Sequence, residues 1–403
     1  MPSQSQEIFS CIDYINEQIG NKLPNARPPE IVPDIHRVPK SFRDLDTSAY
    51  TPKFISIGPL HSDNDNLQMR ELKLRYMSDL VCRTPTPLSA WDACITELEP
   101  QARGCYAEAR AYCYFRGQNR PERSSDPIFN NDWMIPVLRR DLMLFENQIP
   151  FFVLEELFRL TAGHMLNSSV QSLSSYVIDF FLETLHLETV VIQERLDTRT
   201  RGSHLLDLLR NCYFPTKKEA AKEDFKFRYS ATELGRAGVK FRKSSGKEPF
   251  DAKFFNGTFE LPHLPIYDST ESFFKNIIAF EQCCFNVSHR FTSFVSLMDA
   301  LINSDKDVEL LEQEEVIENN LGKSERVSTM FNNMCIGIVV KDDYFTEPCK
   351  LASDYYNSCW RNHLASFRSK YLRSPWAFIS VIAAIVLFAL TILQTVYSIL
   401  SYY

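Results

Sequence analysis

Along most of this chain apolar residues return every three or four positions, the period of a helix that buries one face. In residues 67–82 they are Met69, Leu72, Tyr76 and Leu80. The stretch 92–115 reads as helical on either side of Pro100, and 169–187 and 203–213 as further amphipathic helices. Residues 270–300, 305–321 and 324–341 show the same period. The strongest local signal lies in 132–161, where Asp141 precedes LMLFENQ, Ile149-Pro150 and FFVLEELFRL. Proline lacks an N–H and is tolerated in a first helical turn, so Pro150 predicts a helix start with Asn147 or Gln148 near the cap. Beyond it Phe151, Leu154, Glu155 and Phe158 fall three or four apart and leave one face largely apolar.

Other stretches break the pattern. Residues 1–30 are polar, with at most a short helix over 8–19 before the linker NARPPE. Three prolines and a glycine in 35–61 predict extended and turn structure. The polar run 116–127, RGQNRPERSSDP, predicts a loop. A period of two appears in VKFR (239–242) and AKFF (252–255), before Asn256-Gly257 and TFELPHLPIYD. Alternation around Asn-Gly is the mark of a β-hairpin. Gly238 suits the C-cap of a helix over 231–237. The fold expected is mainly α: a helical domain over 31–373 with a small β-hairpin element, and no internal repeat.

Residues 376–398, WAFISVIAAIVLFALTILQTVYS, carry no charge. As a helix they would extend roughly 34 Å, enough for a hydrocarbon core of about 30 Å. The sequence therefore predicts one C-terminal transmembrane helix, with the lipid bilayer as a partner. Trp376 would mark one interface and Tyr397 the other, with Arg368, Lys370 and Arg373 beside the headgroups. Cations preceding the run and no apolar leader in residues 1–30 predict a single-pass, tail-anchored protein whose N-terminal domain is cytosolic.

Composition sharpens this picture only where it is uneven. Over 403 residues, 44% are apolar and 24% charged, values that exclude a collagen-like or largely disordered chain. The net charge of −7 argues against a nucleic-acid-binding protein, so no nucleic acid is expected. That charge divides into −11 over the first 360 residues and +4 beyond. Residues 216–250 are locally basic, with ten Lys/Arg against five Asp/Glu. They could meet phosphates or anionic lipid, but a solvated loop and helix face is the simpler reading. The 11 cysteines are scattered without a C-x-x-C pair, against zinc ribbons and thioredoxin-type sites. Sequons at Asn167, Asn256 and Asn286 would matter only for a lumenal domain.

Candidate chemistry is sparse. The eight histidines form neither H-x-x-x-H nor H-E-x-x-H, and the adjacent Cys283-Cys284 would diverge on a helix. There is no G-x-G-x-x-G and no G-x-S-x-G, and Gly322-Lys323-Ser324 lacks the upstream glycine of a phosphate loop. Asp141 and Glu146 stand five apart, on different faces of a helix. The acidic run 305–318 alternates with apolar residues and reads as a solvated helix face, without the turn glycine of a calcium loop. No catalytic, cofactor or metal residue is assigned.

In order along the chain, blocks of sequence resemble the plant DUF247 family, also called UPF0481. They are IHRVP (35–39), AYTP (49–52), SIGPLH (56–61), DLMLFENQIPFFVL (141–154) and HLLDLLR (204–210). They continue as ATEL (231–234), AGVKF (237–241), NIIAFEQC (276–283), MDALI (298–302) and PWA (375–377). The resemblance covers roughly residues 31–403. It implies one large, mostly helical plant domain with a C-terminal anchor and no established activity, cofactor or ligand site. Some grass members are implicated in self-incompatibility recognition, so the resemblance implies an interaction role with an unknown protein partner. One departure is the polar 116–127, where family members carry an apolar segment with an Asp-Gly pair; it implies a shortened core helix. The alternative is an enzyme acting at a membrane surface, built on a polar pocket that gathers acids with His36, His61, His204 or His263.

Overall fold

The computed structural model describes residues 33–61, 73, 76, 84, 86–107, 131, 133–162, 172–185, 202–214, 225–244, 250–341, 343–371 and 375–400. The helix expected over 8–19, the loop at 116–127, most of 67–82 and the sequon at Asn167 lie outside these residues. The chain divides into two compact units. One is Met1–Cys212 with Ser272–Val287; the other is Tyr213–Glu271 with Ser288–Tyr403.

The first unit opens with an irregular segment over residues 33–61. It holds one short helix, Lys40–Arg43, and two 3-10 turns, Pro59–His61 and Thr47–Tyr50, the latter with Ser48 and Ala49 amides on the Asp46 carboxylate. Helix α1 (Leu88–Gly104) follows and runs unbroken through Pro100, where the sequence predicted two pieces. Its Trp91 is buried, and α1 lies against α3 (Phe151–Ala162), which also meets α4 (Leu173–Leu185). Before α3 comes α2 (Met134–Leu142). The connection from α2 to α3 is buried almost throughout: Met143, Leu144 and Phe145 enter the core together with Glu146, Asn147 and Gln148. Helix α5 (Leu205–Tyr213) contributes Leu206, Leu208 and Leu209, each fully buried. Helix α7 (Thr270–Cys283) adds Ile277 and Phe280 from the part of it inside this unit. Apolar area removed from water here follows the helical period of the sequence.

In the second unit α6 (Ala231–Arg236) starts at a capping box, with Ser230 and Glu233 satisfying each other's amides. Gly238, at φ 88°, turns the chain out of it. Strands β1 (Lys240–Lys243), β2 (Lys253–Phe255) and β3 (Thr258–Leu261) form a sheet in the order β1-β3-β2. The expected hairpin is β2–β3, antiparallel across Asn256-Gly257. Both turn residues have positive φ, 50° and 75°, as a tight two-residue turn requires. A Cβ on Gly257 would lie 2.8 Å from the Tyr355 ring, so close approach adds a second demand for glycine.

The β content exceeds one hairpin. β1 pairs with β3 in parallel, and β4 (Leu264–Ile266) pairs in parallel with β5 (Ile317–Asn319). β5 falls in the stretch predicted helical over 305–321. Helix α9 (Asp305–Gln313) stops early, and Glu315, at φ 56°, redirects the chain. The stretch 270–300 is likewise split, into α7 and α8 (Arg290–Leu301). Helix α8 is nearly all buried, through Phe291, Phe294, Val295, Leu297, Met298 and Leu301, and meets α10 (Ser324–Met334). Helix α11 (Thr346–Tyr371) contacts β2.

The predicted transmembrane helix is corrected. A helix, α12 (Pro375–Leu400), forms at that place, but among the described residues no helix is long and apolar enough to cross a membrane. Tyr397 is exposed, Trp376 stands on α12, Arg368 and Lys370 stand on α11, and Arg373 lies outside the described residues. The architecture is mainly helical with two small sheets.

Candidate functional site

The densest polar chemistry of the first unit sits where α2 ends. Asp141 has a wholly buried side chain, and its carboxylate receives three successive backbone amides. Lys53 N lies 3.0 Å from both oxygens, Phe54 N at 2.6 Å and Ile55 N at 2.9 Å. The Arg140 guanidinium adds an ion pair at 2.9 Å. Asn147 takes the next stretch: its Oδ1 accepts from Ile57 N at 2.6 Å and Gly58 N at 3.0 Å. Its Nδ2 donates to Ile55 O and Asp141 O, at 2.9 and 2.8 Å. The donating segment, 53–58, has neither helix nor strand to satisfy its amides, so side chains do that work. Gly58 permits the approach, since a Cβ there would sit 2.7 Å from Gln148 O.

The next two residues extend the network. Glu146 accepts from Val38 N at 2.7 Å and pairs with Arg43 at 2.5 Å and His61 at 3.1 Å. Burial pushes its carboxyl up, but the His61, Arg43 and Val38 donors outweigh it and hold the group below the usual carboxylate range. Gln148 donates to Leu142 O and Leu144 O, and accepts from Leu206 N at 3.0 Å. Asn147 and Gln148 thus do not cap α3 as predicted; both side chains are committed to backbone elsewhere. Phe145 N donates to Asn276 Oδ1 at 2.8 Å, and Asn276 Nδ2 donates to Ala49 O at 2.9 Å. Nearby, Arg210 and Glu281 form a buried pair at 2.7 Å.

The histidines named for an enzyme are spread out. His36 Nε2 bonds Pro33 O at 2.9 Å. His61 meets Glu146. His204 is fully buried against Phe145 and Phe280, with Nδ1 accepting from Asp207 N at 3.2 Å. Burial lowers its pKa to about 4, so the ring is neutral at pH 7. His263, in the second unit, lies exposed between Glu315 O and Glu318. Asp141 and Glu146 serve different segments, in keeping with their spacing. Burial raises the Cys283 thiol to about 11 and the Cys284 thiol further, so neither is a thiolate at neutral pH. Among the described residues no three His, Cys, Asp or Glu are grouped to hold a metal ion.

The acidic run 305–318 is only partly a solvated face. Asp307 is buried and accepts from Thr232 N and Oγ1, at 2.8 and 2.7 Å, and from Ser304 N and Oγ, at 2.9 and 2.8 Å. Burial raises its pKa, but these bonds prevail and lower it overall. The Ser304-x-x-Asp307 capping pattern is a sequence signal that marks it. Asn276 carries no such signal.

The family model DUF247, described as "Plant protein of unknown function", matches residues 35–390. The UPF0481 protein At3g47200 of Arabidopsis thaliana is 29% identical over 421 residues, covering 91% of this chain and 86% of that protein. The putative UPF0481 protein At3g02645 of the same plant is 25% identical over 170 residues, covering 41% of this chain and 32% of that protein. No solved structure matches the chain.

Proposed function

This chain belongs to the plant DUF247 family, and from that premise we propose that it acts by binding another protein. The observation that carries the reading is the loop after α10. Residues 336–340, IGIVV, place Ile336, Val339 and Val340 in solvent. The loop is presented between fixed ends: Met334 and Phe345 are buried, and Asp343 accepts from Ser293 Oγ at 3.1 Å and Phe345 N at 2.8 Å. Ile336, Val339 and Val340 are about half exposed, so a partner that covers this loop gains from each a part of the about 1.5–3 kcal/mol of a full burial. The self-incompatibility role that the resemblance implies for some grass members fits recognition between proteins. The enzyme alternative draws support from the His61–Glu146 pair alone, and Arg43 and Val38 already engage that carboxylate.

Proximity labelling in plant tissue tests the proposal, comparing the intact chain with an Ile336→Asp, Val339→Asp variant of equal abundance. Loss of a specific labelled protein in the variant is expected. An unchanged set of labelled proteins would remove the loop as the binding surface.

A further inference from the structure

Helix α12 leaves its described side chains, residues 382–398, in solvent throughout. None of them is charged, and Ile385, Leu387 and Phe388 are 63–70% exposed. A contiguous apolar surface of this kind marks an interaction site. The order of residues along it says what covers it. Ile382, Ile385, Ala389, Ile392 and Val396 follow one another at spacings of three, four, three and four, the heptad positions a and d. In the sequence the same spacing reaches back to Phe378 and on to Ile399, a repeat of about three heptads. Every isoleucine of 382–398 stands on this seam, and Leu387, Leu390 and Leu393 all stand off it. The polar residues Thr391, Gln394, Thr395 and Ser398 are off it too. The Thr391 and Thr395 hydroxyls donate to the Leu387 and Thr391 carbonyls, both at 2.7 Å, so neither needs a partner from a neighbouring helix.

We propose that α12 binds further copies of this chain, as a parallel coiled coil of more than two strands. The occupant is selected by the repeat: another copy presents the same seam in the same register, and a closed ring of copies needs no other surface. The number of strands follows from which residues stand where. Two-stranded coils favour leucine at d, whereas here Ile385 and Ile392 hold d, with Ile382 and Val396 at a. β-Branched residues at both positions favour three or four strands. More than two strands also cover more of a helix whose off-seam residues include Leu387 and Phe388. The inference goes beyond the protein-binding reading, which concerns the loop after α10, and stands without it.

Sedimentation equilibrium of the full chain provides the test, in a mild non-ionic detergent that suppresses unspecific apolar sticking. The native chain is expected at the mass of three or four chains, and a mass of one or two overturns the proposal. An Ile385→Asp, Ile392→Asp variant sets carboxylates on the seam. It should fall to single chains at concentrations about tenfold or more above those that dissociate the native chain. A Leu387→Asp, Leu390→Asp variant adds the same charge off the seam and should keep the native mass. If both pairs dissociate the oligomer alike, copies adhere by general apolarity and the seam is refuted. All four residues are exposed in the single chain, so an unchanged circular-dichroism spectrum and Tm will show that the variants are folded. A second measurement avoids added charge: on mild oxidation Ile385→Cys should raise the cross-linked fraction above that of the native chain, and Leu387→Cys should not. Equal yields would overturn the proposal. The Ile336→Asp, Val339→Asp variant should keep the native mass. If it alone breaks the oligomer, copies meet through the loop and the seam proposal falls. If the native chain is single while the loop variant still loses its labelled partner, self-association falls and the protein-binding reading stands.

Discussion

In the first unit the amides of residues 53–58 are received by the side chains of Asp141 and Asn147. In the second, residues 240–243 and 253–261 satisfy much of their backbone from strand to strand, over an apolar face of phenylalanines. The difference teaches where each unit is fragile. A ladder spreads its bonds over many atoms, so one side chain removes only its own packing. A carboxylate that receives three amides concentrates them, so its loss orphans all three at once.

The largest expected effect is therefore Asp141→Ala. Each orphaned part-buried amide costs about 1–3 kcal/mol, which puts the substitution at roughly 3–5 kcal/mol, and Arg140 loses its acidic partner while keeping the Thr51 and Ser48 carbonyls. Urea denaturation followed by tryptophan fluorescence should show the transition near Trp91 shifted to low urea. An unchanged midpoint would place the load elsewhere.

The next effect is a pH dependence. His204 titrates at about 4 in the fold against 6.5 when free, so the folded form holds fewer protons between those values. Its contribution to stability is full above pH 6.5 and is lost as pH falls toward 4, by about 3 kcal/mol. Glu146, held below 4.5, adds a loss at still lower pH, as the medium falls through its depressed value. Stability of the first unit measured between pH 7 and 4 should decline, and His204→Gln should flatten that part of the curve. A native curve already flat over this range would contradict the burial argument.

Gly58→Ala should cost about 1–3 kcal/mol, because the new Cβ must push back the Gln148 carbonyl rather than a flexible side chain. The smallest effect falls in the second unit. Phe259→Leu, at the centre of the sheet's buried face, should cost about 1.5 kcal/mol or less, since the ladder bonds remain. Thermal melts of the two variants compare directly. If Phe259→Leu proves the more damaging, the contrast between the units is wrong.

Much of the architecture was legible in local pattern. The helical period marked α3, α4 and α5, Gly238 suited the end of α6, Pro150 stands directly before α3, and Asn256-Gly257 gave the hairpin. Pairings between distant segments were not legible. β5 is three residues long and meets β4 in parallel, and nothing near Ile317 announces that partner. In the polar run 146–148, Asn147 or Gln148 drew notice as a cap and Glu146 only for its spacing from Asp141, both local readings. The run's real partners lie as far away as residue 38, 108 positions distant, and residues 57–58, about 90 positions distant. The C-terminal run misled in the opposite sense. Its lack of charge argued for a span, whereas among the described residues no helix is long and apolar enough to cross a membrane.

The central claim is that these buried polar side chains hold backbone in place. Native-state hydrogen exchange of the full chain at Val38, Phe54, Ile55, Ile57 and Gly58 tests it most directly. These amides lie in irregular backbone yet should exchange as slowly as those of helix α5, and Phe54 and Ile55 should lose that protection in Asp141→Ala. Exchange at the rate of an unstructured peptide in the native chain would contradict the account.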